Sequence, residues 1–285
     1  MIGIGGKRSH DTLALVTGAG SGIGQAFAAE LAGRGGSVVC SDIDETAAQR
    51  TVDAIVDQGG KAVAIRCDVS QAEEVRALAD DARGWFGATP TMIVNNAGVG
   101  AGGRLVGETS LADWEWTLGI NLWGVIHGCH VFAPILREAG RGSIINVASS
   151  ASFGSLPRMA AYNVSKAGVL ALSETLKGEL AGTGVHVSVL CPTFVKTNIL
   201  ESGRISAESN SLAGTLMRLT GMSAARVART TLDTHDRGGL YVMPQLDAKA
   251  LWRLKRAAPG VFTRGTGVLE RVSPVRRDSS KGTPS

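Results

Sequence analysis

Residues 13–24 read LALVTGAGSGIG: an apolar, β-branched run, LALVT (13–17), passes without a spacer into a glycine-rich turn. A run that is apolar throughout, rather than at alternate positions, is the mark of a strand buried on both faces. Glycines at its end let the backbone turn tightly and present N–H groups to a ligand. The residues that follow, QAFAAELAGRG (25–35), favour helix. Strand, glycine turn and helix in this order set a helix N-terminus at the strand end, where a pyrophosphate binds. The candidate cofactor contacts in this stretch are Gly18, Ser21, Gly22, Ile23 and Gly24.

Outward from this unit, six more short strand-like runs alternate with amphipathic stretches: SVVCSD (37–42), AVAIRC (62–67), MIVN (92–95), SIINV (143–147), HVSVLC (186–191) and GLYVM (239–243). Helix starts are signalled by Asp44, Ser110 and Ser223 as N-caps, and by Ser70 with Glu73 at capping-box spacing. Strands without clean alternation, separated by helices, predict an α/β fold: a doubly wound parallel sheet of Rossmann type in a single domain, with a C-terminal helical extension. The domain is expected over 11–245, after an N-terminal extension at 1–10. Within it, 193–222 reads as irregular and too long for an ordinary connection, and is expected to act as a substrate lid. A basic amphipathic segment at 246–272 and a disordered tail at 273–285 are expected to follow.

Composition narrows the class. Of 285 residues 44% are hydrophobic and 19% charged, a globular balance, and no apolar run approaches the roughly 18 residues of a membrane span. The net charge of +4 is concentrated at the end: residues 248–285 carry nine Lys or Arg against two Asp or Glu. The body is mildly acidic, so the basic pI is no sign of nucleic-acid binding. Cys40, Cys67, Cys129 and Cys191 lack disulfide or C-x-x-C spacing and are expected as reduced residues of a cytoplasmic protein. His127 and His130 lack the second pair that a zinc site needs, so no metal is expected.

Two further features carry chemistry. The second strand ends at Asp42, eighteen residues past Gly24, where a carboxylate accepts from adenosine ribose hydroxyls and repels a 2′-phosphate. That favours NAD over NADP. Tyr162 and Lys166, in AYNVSK (161–166), share a helix face one turn apart. An ammonium near a phenol favours phenolate, which suits proton transfer.

The spacing T-G-x-x-x-G-I-G resembles the short-chain dehydrogenase/reductase family, in its short single-domain branch. The likeness continues in order over about 11–245: CDV (67–69), NNAG (95–98), Asn121 in GINLWG, Ser149 in NVASS thirteen residues before Tyr162, and PTFVKT (192–197). The resemblance implies a catalytic set of Asn121, Ser149, Tyr162 and Lys166. Tyr162 would be the general acid/base, Ser149 a donor to the substrate oxygen, Lys166 a partner of the nicotinamide ribose, and Asn121 the holder of a water. It also implies cofactor contacts at Asp68, Val69, Asn95, Ala97, Gly98, Pro192, Val195 and Thr197. One departure is Thr193 where the family has glycine; were φ positive there, a β-branched residue would be strained.

Apolar residues after Ser149 (Phe153, Leu156, Met159) and in the lid (Phe194, Leu200, Leu212, Leu216, Met217) point to a small lipophilic alcohol or carbonyl substrate. LYVMPQLDAKALWRLKRAAPG (240–260) is similar to the final segment of retinol- and steroid-converting members. On a helix, Ala250, Leu251, Leu254 and Ala258 would oppose Lys249, Arg253 and Arg256. Such a helix at 247–258 suits peripheral contact with anionic lipid, packing on the body, or a contact in a homo-oligomer (dimer or tetramer). The expected function is NAD(H)-dependent interconversion of a hydrophobic secondary alcohol and its ketone. The alternatives are an NAD-binding sensor or scaffold without turnover, and a sugar-nucleotide epimerase or dehydratase.

Overall fold

The computed structural model describes residues 7–197, 199 and 203–272. The tail at 273–285 and the first six residues of the N-terminal extension lie outside them.

From the N-terminus the elements are β1 (Leu13–Thr17), α1 (Gly22–Gly33), β2 (Ser37–Asp42), α2 (Glu45–Val56), β3 (Lys61–Arg66), α3 (Ala72–Phe86) and β4 (Met92–Asn95). A two-residue β5 (Ala101–Gly102) precedes α4 (Leu111–Leu118), α5 (Gly124–Glu138), β6 (Gly142–Val147), α6 (Ala151–Gly154), α7 (Ala160–Glu179) and β7 (Val185–Leu190). The last third holds β8 (Val195–Lys196), β9 (Arg204–Ile205), α8 (Ala207–Thr220), β10 (Met222–Ser223), α9 (Ala224–Asp236), β11 (Tyr241–Val242), α10 (Leu246–Ala257) and α11 (Pro259–Val272).

Seven strands form one sheet in the order β11-β7-β6-β4-β1-β2-β3, every pair parallel. In β1, Leu15 enters the hydrophobic cluster on one face while Ala14 and Val16 enter the cluster on the other, all fully buried. Burial on both faces is why the run lacks alternation; each large side chain so buried contributes roughly 1.5–3 kcal/mol. The chain winds outward from β1 in both directions, so a crevice opens at the carboxyl ends of β1 and β4, the topological switch point.

Local chemistry sets the helix starts. Asp44 accepts from Ala47 N, Ser110 from Asp113 N and Ser223 from Arg226 N. The capping box expected at Ser70 is not formed. The Ser70 hydroxyl donates to Asp68 Oδ1 at 2.7 Å, and the helix starts only at Ala72. Glu74, not Glu73, reaches back, accepting from Asp68 N at 2.8 Å.

The span 193–222 is not irregular: fourteen of its residues form α8, which Ser206 caps by accepting from Ser209 N. Helices α4 and α5 join through a π-helical turn, Gly119–Trp123. Together they make a 28-residue helix, Leu111–Glu138, long and apolar enough to cross a membrane by length and composition. Here its Val125, Cys129, Phe132 and Leu136 lie in the core against the sheet. All four cysteines are buried, unpaired thiols, pushed up by burial to about 12.

The C-terminal extension is helical, but α10 turns a different face inward from the one expected. Ala248 is buried and Leu251 and Trp252 pack on the core, whereas Leu254 is exposed. Trp252 meets Phe153 edge-on at 5.4 Å and Tyr241 at 5.1 Å, with Arg256 over its ring at 4.6 Å. Trp252 therefore joins α10 to the body, the second of the three arrangements open to this helix.

Candidate active site

A cleft of about 700 Å³ opens at the switch point. Gly18, Ser21, Gly22 and Ile23 of the glycine turn line it, together with Asp42, Asp68, Val69, Ala97 and Gly98. So do Ser149, Tyr162, Lys166, Pro192, Val195 and Thr197. The topology thus gathers residues from six separate turns after strands into one crevice.

The glycine turn is shaped by close approach. Gly18 and Gly22 have φ of 65° and 56°, where side chains are disfavoured. Gly24 does not line the cleft; a Cβ there would sit 2.0 Å from the Gly18 carbonyl oxygen. Its part is to let α1 start directly against the turn. Ser21 precedes α1 without capping it by its side chain, which leaves the first-turn N–H groups for an anion at the cleft. Thr17 and Asn96 brace the turn: Asn96 Nδ2 donates to Thr17 O at 2.8 Å, and Thr17 Oγ1 accepts from Asn96 N at 3.0 Å.

Asp42 is set by two backbone amides, with Oδ2 accepting from Gly20 N at 2.9 Å and Oδ1 from Asp44 N at 3.1 Å. Its carboxylate keeps lone pairs for further donors. Among the described residues, the basic side chains lining the cleft are Arg158 and Lys166, and neither is hydrogen-bonded or ion-paired with Asp42. Uncapped N–H groups, a carboxylate and a glycine cradle fit a dinucleotide's pyrophosphate and adenosine ribose.

At the other end Tyr162 sits in the first turn of α7 and Lys166 one turn on, as their spacing predicts. Lys166 is buried; its Nζ donates to Val147 O at 3.0 Å and lies 5.8 Å from the Tyr162 ring centroid. Desolvation lowers its pKa to about 8, against a smaller opposing influence of Cys191. The Ser149 hydroxyl at the cleft favours the phenolate of Tyr162, but desolvation is larger and raises the phenol above its ordinary value.

Asn121 is fully buried behind the cleft, in the π-helical turn. Its Oδ1 accepts from Val99 N at 2.7 Å and its Nδ2 donates to Val99 O at 2.9 Å. The side chain thus holds the strand-to-loop segment after β4. A Cβ on Gly98 would lie 3.0 Å from Asn121 Oδ1 and 3.4 Å from Lys166 Nζ, so glycine keeps that approach open.

Asn95 is placed elsewhere than expected. It is buried in the sheet, donating to Asn146 Oδ1 at 2.8 Å, and Asn146 Nδ2 donates to Ser173 Oγ at 3.0 Å. This chain of amides fastens α7 to β4 and β6, and Asn96 takes the place at the cleft. Phe153 likewise packs in the core rather than the cleft, while Leu156, Met159, Phe194 and Met217 do line it. Leu200 and the side chains of Leu212 and Leu216 lie outside the described residues. Thr193 avoids positive φ and is not strained. Its Oγ1 donates to Asp247 Oδ1 at 3.1 Å, and Gln245 Nε2 donates to Phe194 O at 3.0 Å. Sequence gave no signal for these ties, nor for Asn163, Arg158 and Glu270, which also line the cleft.

Comparison with known proteins places this geometry. The sequence profile described as short chain dehydrogenase matches residues 12–207. The probable oxidoreductase EphD of Mycobacterium tuberculosis is 41% identical over 191 residues, 67% of this chain and 32% of that protein, so this chain spans about a third of that relative's length. Cyclohexanol dehydrogenase of an Acinetobacter species is 36% identical over 194 residues, 68% of this chain and 77% of its own. A short chain dehydrogenase/reductase from Burkholderia phymatum, solved in complex with NAD, superposes with a TM-score of 0.84 at 36% identity, covering 89% of this chain and 96% of that one. The chain is a member of the short-chain dehydrogenase/reductase family.

Proposed function

We propose that the protein is an NAD(H)-dependent oxidoreductase that interconverts a hydrophobic secondary alcohol and its ketone. The observation that carries this is a single cleft lined by both the glycine turn with Asp42 and the Ser149–Tyr162–Lys166 group. Bound NAD supplies the hydride acceptor, or NADH the donor. The apolar side chains of Leu156, Met159, Phe194 and Met217 at the other end favour a lipophilic substrate. The names of the relatives, among them cyclohexanol dehydrogenase, and the NAD bound in the Burkholderia phymatum structure support the same reading.

The roles follow from what each group can do. Ser149 donates to the substrate oxygen and stabilises charge that develops there. Tyr162 gives its phenolic proton to that oxygen in ketone reduction and takes it back in alcohol oxidation. Lys166, as an ammonium beside the ring, favours the phenolate that remains. A bound oxidised nicotinamide would add positive charge that favours the phenolate, against the desolvation that raises Tyr162. Asp42, with no cation beside it in the cleft, selects NAD over NADP.

The test follows NADH fluorescence with a panel of apolar ketones, comparing the protein with Tyr162→Phe. Turnover should fall by about 10²–10⁴-fold in the variant, with NADH affinity within roughly twofold. Binding without turnover in the unaltered protein would instead support a sensor or scaffold.

A further inference from the structure

The family profile ends at residue 207, but the cleft does not: Ser209, Ala213, Met217, Asp247, Leu251 and Glu270 all line it. The farthest of these lies on α11, which leaves α10 at Ala258 and buries Phe262, with Lys255 over the Phe262 ring at 5.0 Å. Near the other end of α11, Glu270 Oε1 accepts from Arg158 Nε and Nη2, each at 2.9 Å. This pair is largely withdrawn from solvent, with side-chain exposures of 11% for Arg158 and 23% for Glu270.

The Arg158 end is itself firmly placed. Arg158 and Ser155 hold φ of 62° and 47°, conformations that side chains resist and that persist only where the surroundings enforce them. Gly103 N donates to Arg158 O at 2.7 Å, and Asn163 Nδ2 donates to Leu156 O at 2.7 Å. The segment between the serine and tyrosine of the site is therefore pinned from α7, from the loop after β5, and from α11.

We infer that the Arg158–Glu270 pair fastens α11 over the substrate end of the cleft and makes this helix a substrate-selecting wall. That this end receives substrate rests on the proposed function. The wall packs against the far end of a long, neutral, apolar alcohol, and the pairing occupies Arg158, so that it is not offered to a carboxylate tail. Removing one partner leaves the other charge buried and unpaired, so the closed arrangement weakens; reversing both charges retains it.

The experiment uses the full chain with NAD bound, as Glu270→Gln and as the double variant Arg158→Glu with Glu270→Arg. Trypsin cleavage after Arg264 on α11 should be roughly five- to tenfold faster in Glu270→Gln and return to within about twofold in the double variant. The ratio of kcat/KM for 2-octanol over 2-propanol should fall about fivefold in Glu270→Gln and recover in the double variant. Unaltered cleavage in Glu270→Gln, or faster cleavage with an unaltered ratio, would overturn the inference. If the unaltered protein oxidises neither alcohol, the oxidoreductase proposal fails for this substrate class, and the cleavage rates alone decide whether the pair fastens α11.

Discussion

Lys166 extends beneath the Tyr162 ring, its Nζ 5.8 Å from the centroid, and spends its hydrogen bond on the Val147 carbonyl at 3.0 Å. The ammonium is thus anchored to the sheet. Both groups have lost water, and each shifts away from its charged form: the phenol upward, the ammonium down to about 8. In the proposed reduction Tyr162 must be protonated and Lys166 charged. Activity should hold below pH 8 and fall above it as Lys166 loses its proton. Lys166→Arg, whose guanidinium stays charged, should lower kcat yet move that alkaline limb upward. A kcat/KM profile for ketone reduction from about pH 6 to 10 reads this; an unmoved limb would assign it to another group.

In the proposed function Asp42 governs cofactor choice through charge, at a place where no cation among the described residues adjoins it in the cleft. Asp42→Ala should weaken NAD and relieve repulsion of the 2′-phosphate, narrowing the NAD-to-NADP preference by about tenfold or more. Titrating both cofactors against intrinsic fluorescence checks this, and an unchanged preference would put the ribose contact elsewhere.

Gly24 has no room for a methyl group: a Cβ would stand 2.0 Å from Gly18 O and 2.4 Å from Asn96 Nδ2. Gly24→Ala should force the turn away from α1, costing about 1–3 kcal/mol of stability and weakening the dinucleotide by more than the stability loss explains. Denaturant melts alongside NADH binding measure both effects; near-native values in each would mean that the turn relaxes freely.

His235 is buried between two serines, 2.7 Å from Ser143 Oγ and 2.8 Å from Ser188 Oγ, joining α9 to β6 and β7. Desolvation lowers its pKa from 6.5 to about 4. The unfolded chain therefore binds a proton that the folded one refuses. Stability is fully present above pH 6.5 and declines as pH falls to 4, by about 3 kcal/mol for this group. His235→Gln should flatten that part of the pH–stability curve, measured by urea melts; a curve of the same slope would place the acid sensitivity elsewhere.

The seven main strands were legible because a two-sided sheet demands uninterrupted apolar runs. LALVT, SVVCSD and MIVN match β1, β2 and β4 residue for residue. Helix α8 was not legible. Ser, Asn and Gly depress its intrinsic preference, and it rests instead on its Ser206 cap and on burial of Met217. Ser70 was misread for a related reason: its hydroxyl had a nearer partner in Asp68, and local pattern does not rank competing acceptors.

The sequence alone determined which backbone could turn at Gly18–Gly24, which strands could be buried on both faces, and that Tyr162 and Lys166 would share a helix face. These follow from steric and periodic rules that act within a few residues. Only the tertiary structure decided that Asn95 braces the sheet while Asn96 meets the cleft, that burial outweighs the influence of Ser149 on the Tyr162 phenol, and that Glu270 reaches Arg158 across 112 residues. Desolvation and long-range pairing depend on what packs around a group, and no spacing along the chain encodes that neighbourhood.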